Sequence, residues 1–135
     1  MIFRVIVTAM FLLSTPAWSS SIDEQIQSLS PVIGGYPPAI ETKEQLATVV
    51  ASYEKVKSEL DSLIAKNPND LALLFKRGSL QQMGHNMDYK KAWNGAEHDF
   101  VAILNKDPSQ VQAILALATL YINSSFELAP KAELL

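Results

Sequence analysis

The residues with the most capacity for chemistry are two histidines with acidic neighbours. His85 and Asp88 fall in the segment Gly84-His85-Asn86-Met87-Asp88, and His98 stands next to Asp99. Imidazole nitrogens and carboxylate oxygens are donors that zinc accepts, and a histidine–carboxylate pair can move protons. Either chemistry needs the groups to converge in one pocket. The spacing gives them no reason to do so. His85 and Asp88 sit in an expected turn, and His98 falls off the apolar stripe of Trp93, Ala96 and Phe100. Those polar groups are better employed in fixing the turn, with Asn86 or Asp88 capping the next helix. The chain therefore reads as non-enzymatic, with no catalytic residues, metal or cofactor. The alternative is a small metal-dependent or catalytic protein built on His85, Asp88 and His98.

Composition narrows the field further. The 135 residues allow one modest domain, and 48% apolar with 19% charged residues is ordinary globular composition. There is no cysteine, which removes disulfides, thiol catalysis and cysteine-ligated zinc together. Setting Arg4 aside leaves ten of the 11 basic residues against 14 acidic ones, a net of −4 beyond residue 19. Nucleic-acid binding rests on clustered Lys and Arg, so no nucleic-acid partner is expected. The pairs Lys76-Arg77 and Lys90-Lys91 read as solvated helix surface.

The elements that would position a site form a repeat. Shifting the chain by forty residues lays Tyr53 on Trp93, Leu60 on Phe100, Leu63 on Ile103 and Lys66-Asn67-Pro68 on Lys106-Asp107-Pro108. Leu74 then falls on Ile114 and Gly78 on Ala118. A register that survives two helix-period patterns and the proline between them marks internal duplication. Thr42 with Gln45 forms a capping box that opens a helix to about Lys66, burying Leu46, Val49, Val50, Tyr53, Val56, Leu60, Leu63 and Ile64. Asn67-Pro68 stops it. Asn69 or Asp70 caps a second helix to about Met83, with Leu74, Gly78 and Gln81 on one stripe. Gly78 is placed for close approach of a facing helix, which offsets the roughly 1 kcal/mol that glycine costs inside a helix.

A third helix is expected to follow the Gly84 to Asp88 turn and run to about Lys106, burying Tyr89, Trp93, Ala96, Phe100, Ile103 and Leu104, with Asn94-Gly95 its weak point. Ser109 and Gln112 open a fourth as a capping box, with Val111, Ile114, Leu115, Ala118, Tyr121 and Ile122 inside. Pro130 suits the first turn of a fifth.

Ahead of the repeat, residues 1–19 read as an export signal. Arg4 gives a positive start, Val5 to Leu13 is apolar except for Thr8, and Ala17-Trp18-Ser19 offers a cleavage site. The apolar run falls short of the roughly 20 residues that span a bilayer. The expectation is a periplasmic or secreted protein that meets the membrane only through this segment before cleavage near Ser19. Residues 20–40 read as a short helix, opened by the capping box at Ser21 to Glu24 and ended at Pro31, then a Pro/Gly-rich linker. That linker reads as a surface connector. A second possibility is that Val32-Ile33 and Tyr36-Pro37-Pro38 lie along a groove as a built-in lid.

Residues 53–135 resemble the tetratricopeptide repeat family. The likeness rests on a small residue in the middle of a pair's first helix (Gly78, Ala118), an aromatic three further on (Tyr121), a bulky residue in the second helix of a pair (Leu60, Phe100) and a closing proline (Pro68, Pro108). It departs in its forty-residue period, against about 34 in the family, and in Gln81, where an aromatic is usual. The resemblance implies an all-α solenoid of antiparallel helix pairs over residues 41–135, with about five helices after the signal, a short N-terminal one, and an incomplete last repeat. It also implies a concave groove for a protein or peptide, lined by Phe75, Ser79 and Gln82 in one pair and by Gln112, Thr119 and Asn123 in the next. A self-assembling subunit is a further possibility, because Leu128, Leu134 and Leu135 would leave the last helix with an uncovered apolar stripe.

Overall fold

A computed structural model describes residues 17–124 and 128–135, and every regular element among them is helical. The helices are α1 (Ala17–Ile33), α2 (Lys43–Lys66), α3 (Leu71–Asn86), α4 (Ala92–Lys106), α5 (Val111–Ser124) and α6 (Ala129–Ala132). The expected signal segment lies outside the described residues except for Ala17 to Ser19, which open α1. Among the described residues no helix is long and apolar enough to cross a membrane.

Local chemistry fixes most of the ends. Thr42 caps α2 with the expected box: Gln45 N donates to Thr42 Oγ1 at 3.1 Å, and the Thr42 amide donates to Gln45 Oε1 at 3.2 Å. Asp70 caps α3 through Leu73 N at 3.0 Å. Asn67 and Asp107, each ahead of a proline, close α2 and α4. The cap of α5 differs from expectation. Ala113 N donates to Gln110 Oε1 at 2.9 Å, and the Ser109 hydroxyl donates to Asp107 Oδ1 within the turn.

Two other boundaries depart from the sequence reading. Proline was expected to end the first helix, yet α1 runs through Pro31 to Ile33. The ring removes one bond to the Gln27 carbonyl, but both residues are exposed, so water can replace the lost donor. Burial of Leu29 and Ile33 then holds the last turn, and Asn86 Nδ2 donates to the Ile33 carbonyl at 2.9 Å. Further along, α3 continues to Asn86, so His85 is helical rather than part of the turn. The chain turns over 87–91 instead, where Asp88 and Lys91 have φ of 57° and 64°. Left-handed backbone at both ends of the turn delays α4 to Ala92. Neither Asn86 nor Asp88 caps it.

The pairings show how the helices stack. Gln25 meets Glu59, Arg77 meets Asp61 and Asp99, and Glu97 meets Tyr121, so from α1 to α5 each helix runs antiparallel to the next. By contrast α1 and α3 run parallel, with Asp23 against Lys76 at one end and Ile33 against Asn86 at the other. The central helix α3 touches α1, α2, α4 and α5. Thus α1, α3 and α5 lie side by side as the first helices of successive hairpins. This is the packing of helical repeats, and α1 belongs to it as a first helix rather than as a short preface.

The core forms two clusters on either side of α3. One gathers Ile22, Leu29, Ile33, Tyr53 and Leu60 from α1 and α2, together with Leu80. The other gathers Leu74, Phe100, Ile103, Leu117 and Leu120. Gly78 is the contact point expected of it. A Cβ there would lie 2.8 Å from Phe100 Cε1 and 3.2 Å from Asp99 Cβ, so only glycine lets α4 come this close.

The inner face of α5 differs from the expected one except at Tyr121. Ala113, Leu117, Leu120 and Tyr121 are buried, whereas Val111, Leu115 and Ile122 are 63%, 62% and 59% exposed. Leu46 at the start of α2 is also exposed, and Val50, Trp93 and Leu104 are half-buried.

Candidate functional site

The parallel first helices leave a cleft of about 330 Å³ between them. Ser79, Gln82, Met83 and Asn86 of α3 form its floor, Thr119 and Asn123 of α5 one wall, and Ser30 of α1 with Gly34, Gly35 and Tyr36 the other. Helical spacing explains the floor, because residues three and four apart share a face. The second wall exists because the chain leaves α1 at Gly34, whose amide donates to Ser30 O at 2.8 Å, and Ala39 N returns to Val32 O at 2.7 Å. Tyr36 projects from this loop with 80% of its surface exposed.

Four of the six residues expected to line a groove share this cleft: Ser79, Gln82, Thr119 and Asn123. The other two do not line it. Phe75 turns into the core, its ring 5.8 Å from that of Phe100 at 50°. Gln112 is exposed in the first turn of α5, outside the cleft. Of Val32-Ile33 and Tyr36-Pro37-Pro38, given a possible place along a groove, only Tyr36 lines the cleft, and Ile33 is buried in the core. Ser30 and Met83 were given no role, and Asn86, expected to cap the next helix, lines the cleft instead.

Among the described residues, no Asp, Glu, Lys, Arg or His lines the cleft. Its polar groups are hydroxyls and carboxamides, which both donate and accept. Asn86 is engaged with the Ile33 carbonyl, and the Thr119 hydroxyl donates to Leu115 O at 2.8 Å. The carboxamides of Gln82 and Asn123 have no intramolecular partner among the described residues. They remain available to a neutral ligand that offers both donors and acceptors.

Charge is concentrated behind the cleft instead. Asp99 is fully buried, and Arg77 grips it twice, Nε to Oδ2 at 2.8 Å and Nη2 to Oδ1 at 2.7 Å. The remaining Arg77 nitrogen, Nη1, donates to Asp61 Oδ1 at 2.8 Å, and Lys57 holds Asp61 Oδ2 at 2.7 Å. Gln81 Nε2 completes the cluster at 3.0 Å from Asp99 Oδ2. This accounts for a glutamine where the repeat resemblance calls for an aromatic. It also accounts for Gly95, since a Cβ there would fall 1.8 Å from Gln81 Oε1. Arg77 is thus not the solvated surface cation expected of it; neighbouring Lys76 pairs with Asp23 at 2.7 Å.

The shifts follow from these partners. Hydrogen bonds to Asp99, working against burial, raise the Arg77 pKa and keep the guanidinium charged. Burial pushes Asp61 up, but hydrogen bonds from Lys57 and Arg77 overcome it and hold the carboxyl below its usual range. A depressed carboxylate pKa stabilises the fold above the unfolded-state value, and that stability is lost as pH falls through the folded one. Acid titration monitored by circular dichroism should therefore show stability falling below about pH 4, with a shallower slope in Asp61→Asn.

The two histidines do not join this cluster into a metal site. His98 is exposed on α4, with Nδ1 3.4 Å from Asp99 Oδ1, an oxygen that already accepts from Arg77. His85 lies in the last turn of α3 and Asp88 in the turn beyond it. Among the described residues, no three His, Asp or Glu side chains gather closely enough to hold an ion.

No family model, curated protein or solved structure matches the chain. The functional reading accordingly rests on the cleft itself.

Proposed function

We propose that the protein is a non-catalytic scaffold that binds an uncharged, extended stretch of a protein or peptide in the cleft between α1, α3 and α5. The carrying observation is the union of Ser79, Gln82, Thr119 and Asn123 in one ion-free cleft with an aromatic rim. An extended peptide presents unpaired N–H and C=O groups in alternation, and a carboxamide can answer both. Tyr36 offers a ring against which an apolar side chain of the ligand can rest. The packing of successive helical hairpins supports the likeness to tetratricopeptide repeats, whose groove has the same origin. The apolar start of the chain and Ala17-Trp18-Ser19 support export, which would place the scaffold in the cell envelope.

Selection from a displayed random-peptide library, followed by calorimetry on the enriched sequences, tests this reading. Wild type should enrich uncharged sequences. The double variant Ser79→Ala/Gln82→Ala should bind them at least about tenfold more weakly, the loss of one or two hydrogen bonds, while its thermal midpoint stays nearly unchanged. Enriched peptides that bind the double variant as well as wild type would place recognition elsewhere on the surface.

A further inference from the structure

The three helices that line the cleft all point the same way. Because α1 and α3 run parallel, and α4 reverses between α3 and α5, all three bring their carboxyl-terminal ends to one edge. Each sets a residue of its last turn in the cleft: Ser30 of α1, Met83 and Asn86 of α3, and Asn123 of α5. Aligned peptide dipoles leave roughly half a negative charge at such an end, felt mainly within the last turn. Three of these ends therefore act on one small volume that no described ionisable side chain lines.

The usual compensation is missing here. A Lys or Arg in the last turn offsets the dipole, and α2 and α4, which end at the opposite edge, have Lys66 and Lys106 there. The last turns of α1 and α5 hold no basic residue, and that of α3 holds only His85, which does not line the cleft. At the end of α1, neutral donors meet the carbonyls: the Ala39 amide donates to Val32 O at 2.7 Å and the Asn86 carboxamide to Ile33 O at 2.9 Å. Lys131 lies over the Tyr121 ring rather than in the cleft. The positive ends of α2 and α4 share this edge, but among the described residues neither helix lines the cleft, and a helix end acts little beyond its own turn.

The consequence is a preference of sign, and it rests on the peptide-binding reading above. Any charged group loses hydration on entering the cleft, so neutral side chains bind best. For a cation the three helix ends restore part of that loss. For an anion they add to it. We propose that the cleft tolerates basic side chains in its peptide and rejects acidic ones, through the converging carboxyl-terminal ends of α1, α3 and α5.

Calorimetry on the full chain tests the preference. The probe is the most enriched uncharged peptide from the displayed library, its central residue replaced in turn by Gln, Lys and Glu. The Glu peptide should bind at least about tenfold more weakly than the Lys peptide, since each helix end contributes about two- to fivefold. The chain's own net charge of −3 also favours a cation, so a matched pair of variants separates the two causes. Ile122→Lys supplies the missing cation in the last turn of α5, and Val111→Lys adds the same charge in its first turn; both positions are exposed. The first should narrow the gap between Lys and Glu peptides at least about twofold, while the second should leave it. Equal binding of the Lys and Glu peptides would overturn the proposal, and so would equal narrowing by both variants. A library that enriches no peptide would sink the scaffold reading and this preference together, whereas enriched peptides indifferent to sign would sink the preference alone.

Discussion

Replacing Arg77 by leucine should destabilise the fold by about 3–5 kcal/mol, because it strands the Asp99 carboxylate in a buried site. Asp99 has a side-chain exposure of 1% and receives three of its donor contacts from Arg77 and Gln81. Without the guanidinium, the carboxylate must stay charged with one carboxamide donor or take up a proton; either is costly. The companion Arg77→Leu/Asp99→Leu should recover part of the loss, since removing both charges leaves no unpaired ion. Recovery should be incomplete, because Gln81 would lose its acceptor in a site where it is only 6% exposed. Urea melts of wild type and the two variants decide the matter. A loss below about 1 kcal/mol for Arg77→Leu would mean that water reaches Asp99, and the buried clamp would not exist.

Phe100→Ala should cost a similar amount, about 3–5 kcal/mol, by opening a cavity in the core around Leu74, Ile103 and Leu117. Its ring is fully buried and touches Gly78 on one side and the Phe75 ring on the other. Gly78→Ala alone should also destabilise, by about 1–3 kcal/mol from overpacking, less the roughly 1 kcal/mol gained in helix propensity. Together the two changes should cost less than their sum. The new methyl would occupy space that the ring has vacated, and contacting residues do not add. Additive losses would show that Gly78 and Phe100 do not meet. Trp93→Ala should cost less than Phe100→Ala, because Trp93 is half-buried where its Nε1 donates to Ser124 Oγ.

The repeat was legible because Tyr53, Leu60, Lys66-Asn67-Pro68 and their forty-residue counterparts keep helix period and stop signal together. The first hairpin was not, and its offset explains why. Asp23 with Lys76 and Ile33 with Asn86 relate α1 to α3 by fifty-three residues instead of forty. The longer α2 and the Gly34 to Glu41 loop absorb the difference, so no single shift aligns all three first helices. The face of α5 was misread for another reason. Its sequence is apolar on nearly every side, so periodicity alone could not separate Ala113 and Leu117 from Leu115 and Ile122; packing against α4 chose the side that fits closely.

The cleft was partly legible by the same logic. Ser79 and Gln82 follow from the exposed flank of α3, and Thr119 lies on the matching flank of α5. Phe75 lies beside them in sequence spacing but is apolar and meets Phe100, so the core claims it. The Arg77 cluster carried no motif at all. Its two carboxylates, Asp61 and Asp99, lie 16 and 22 residues from Arg77, and only antiparallel packing brings them together. Gln81, an unusual residue on a stripe otherwise meant for the core, was the one available clue.

Because Arg77 reaches Asp61 and Asp99 at once, it joins three consecutive helices across the boundary between two hairpins. In a stacked array each unit can otherwise melt on its own, with only nearest-neighbour terms to oppose it. A guanidinium shared by α2, α3 and α4 removes that independence, since losing either neighbour exposes an unsatisfied charge. The first two hairpins should consequently open in one concerted event, while α5 and α6, outside the shared ion, retain the freedom to fray separately.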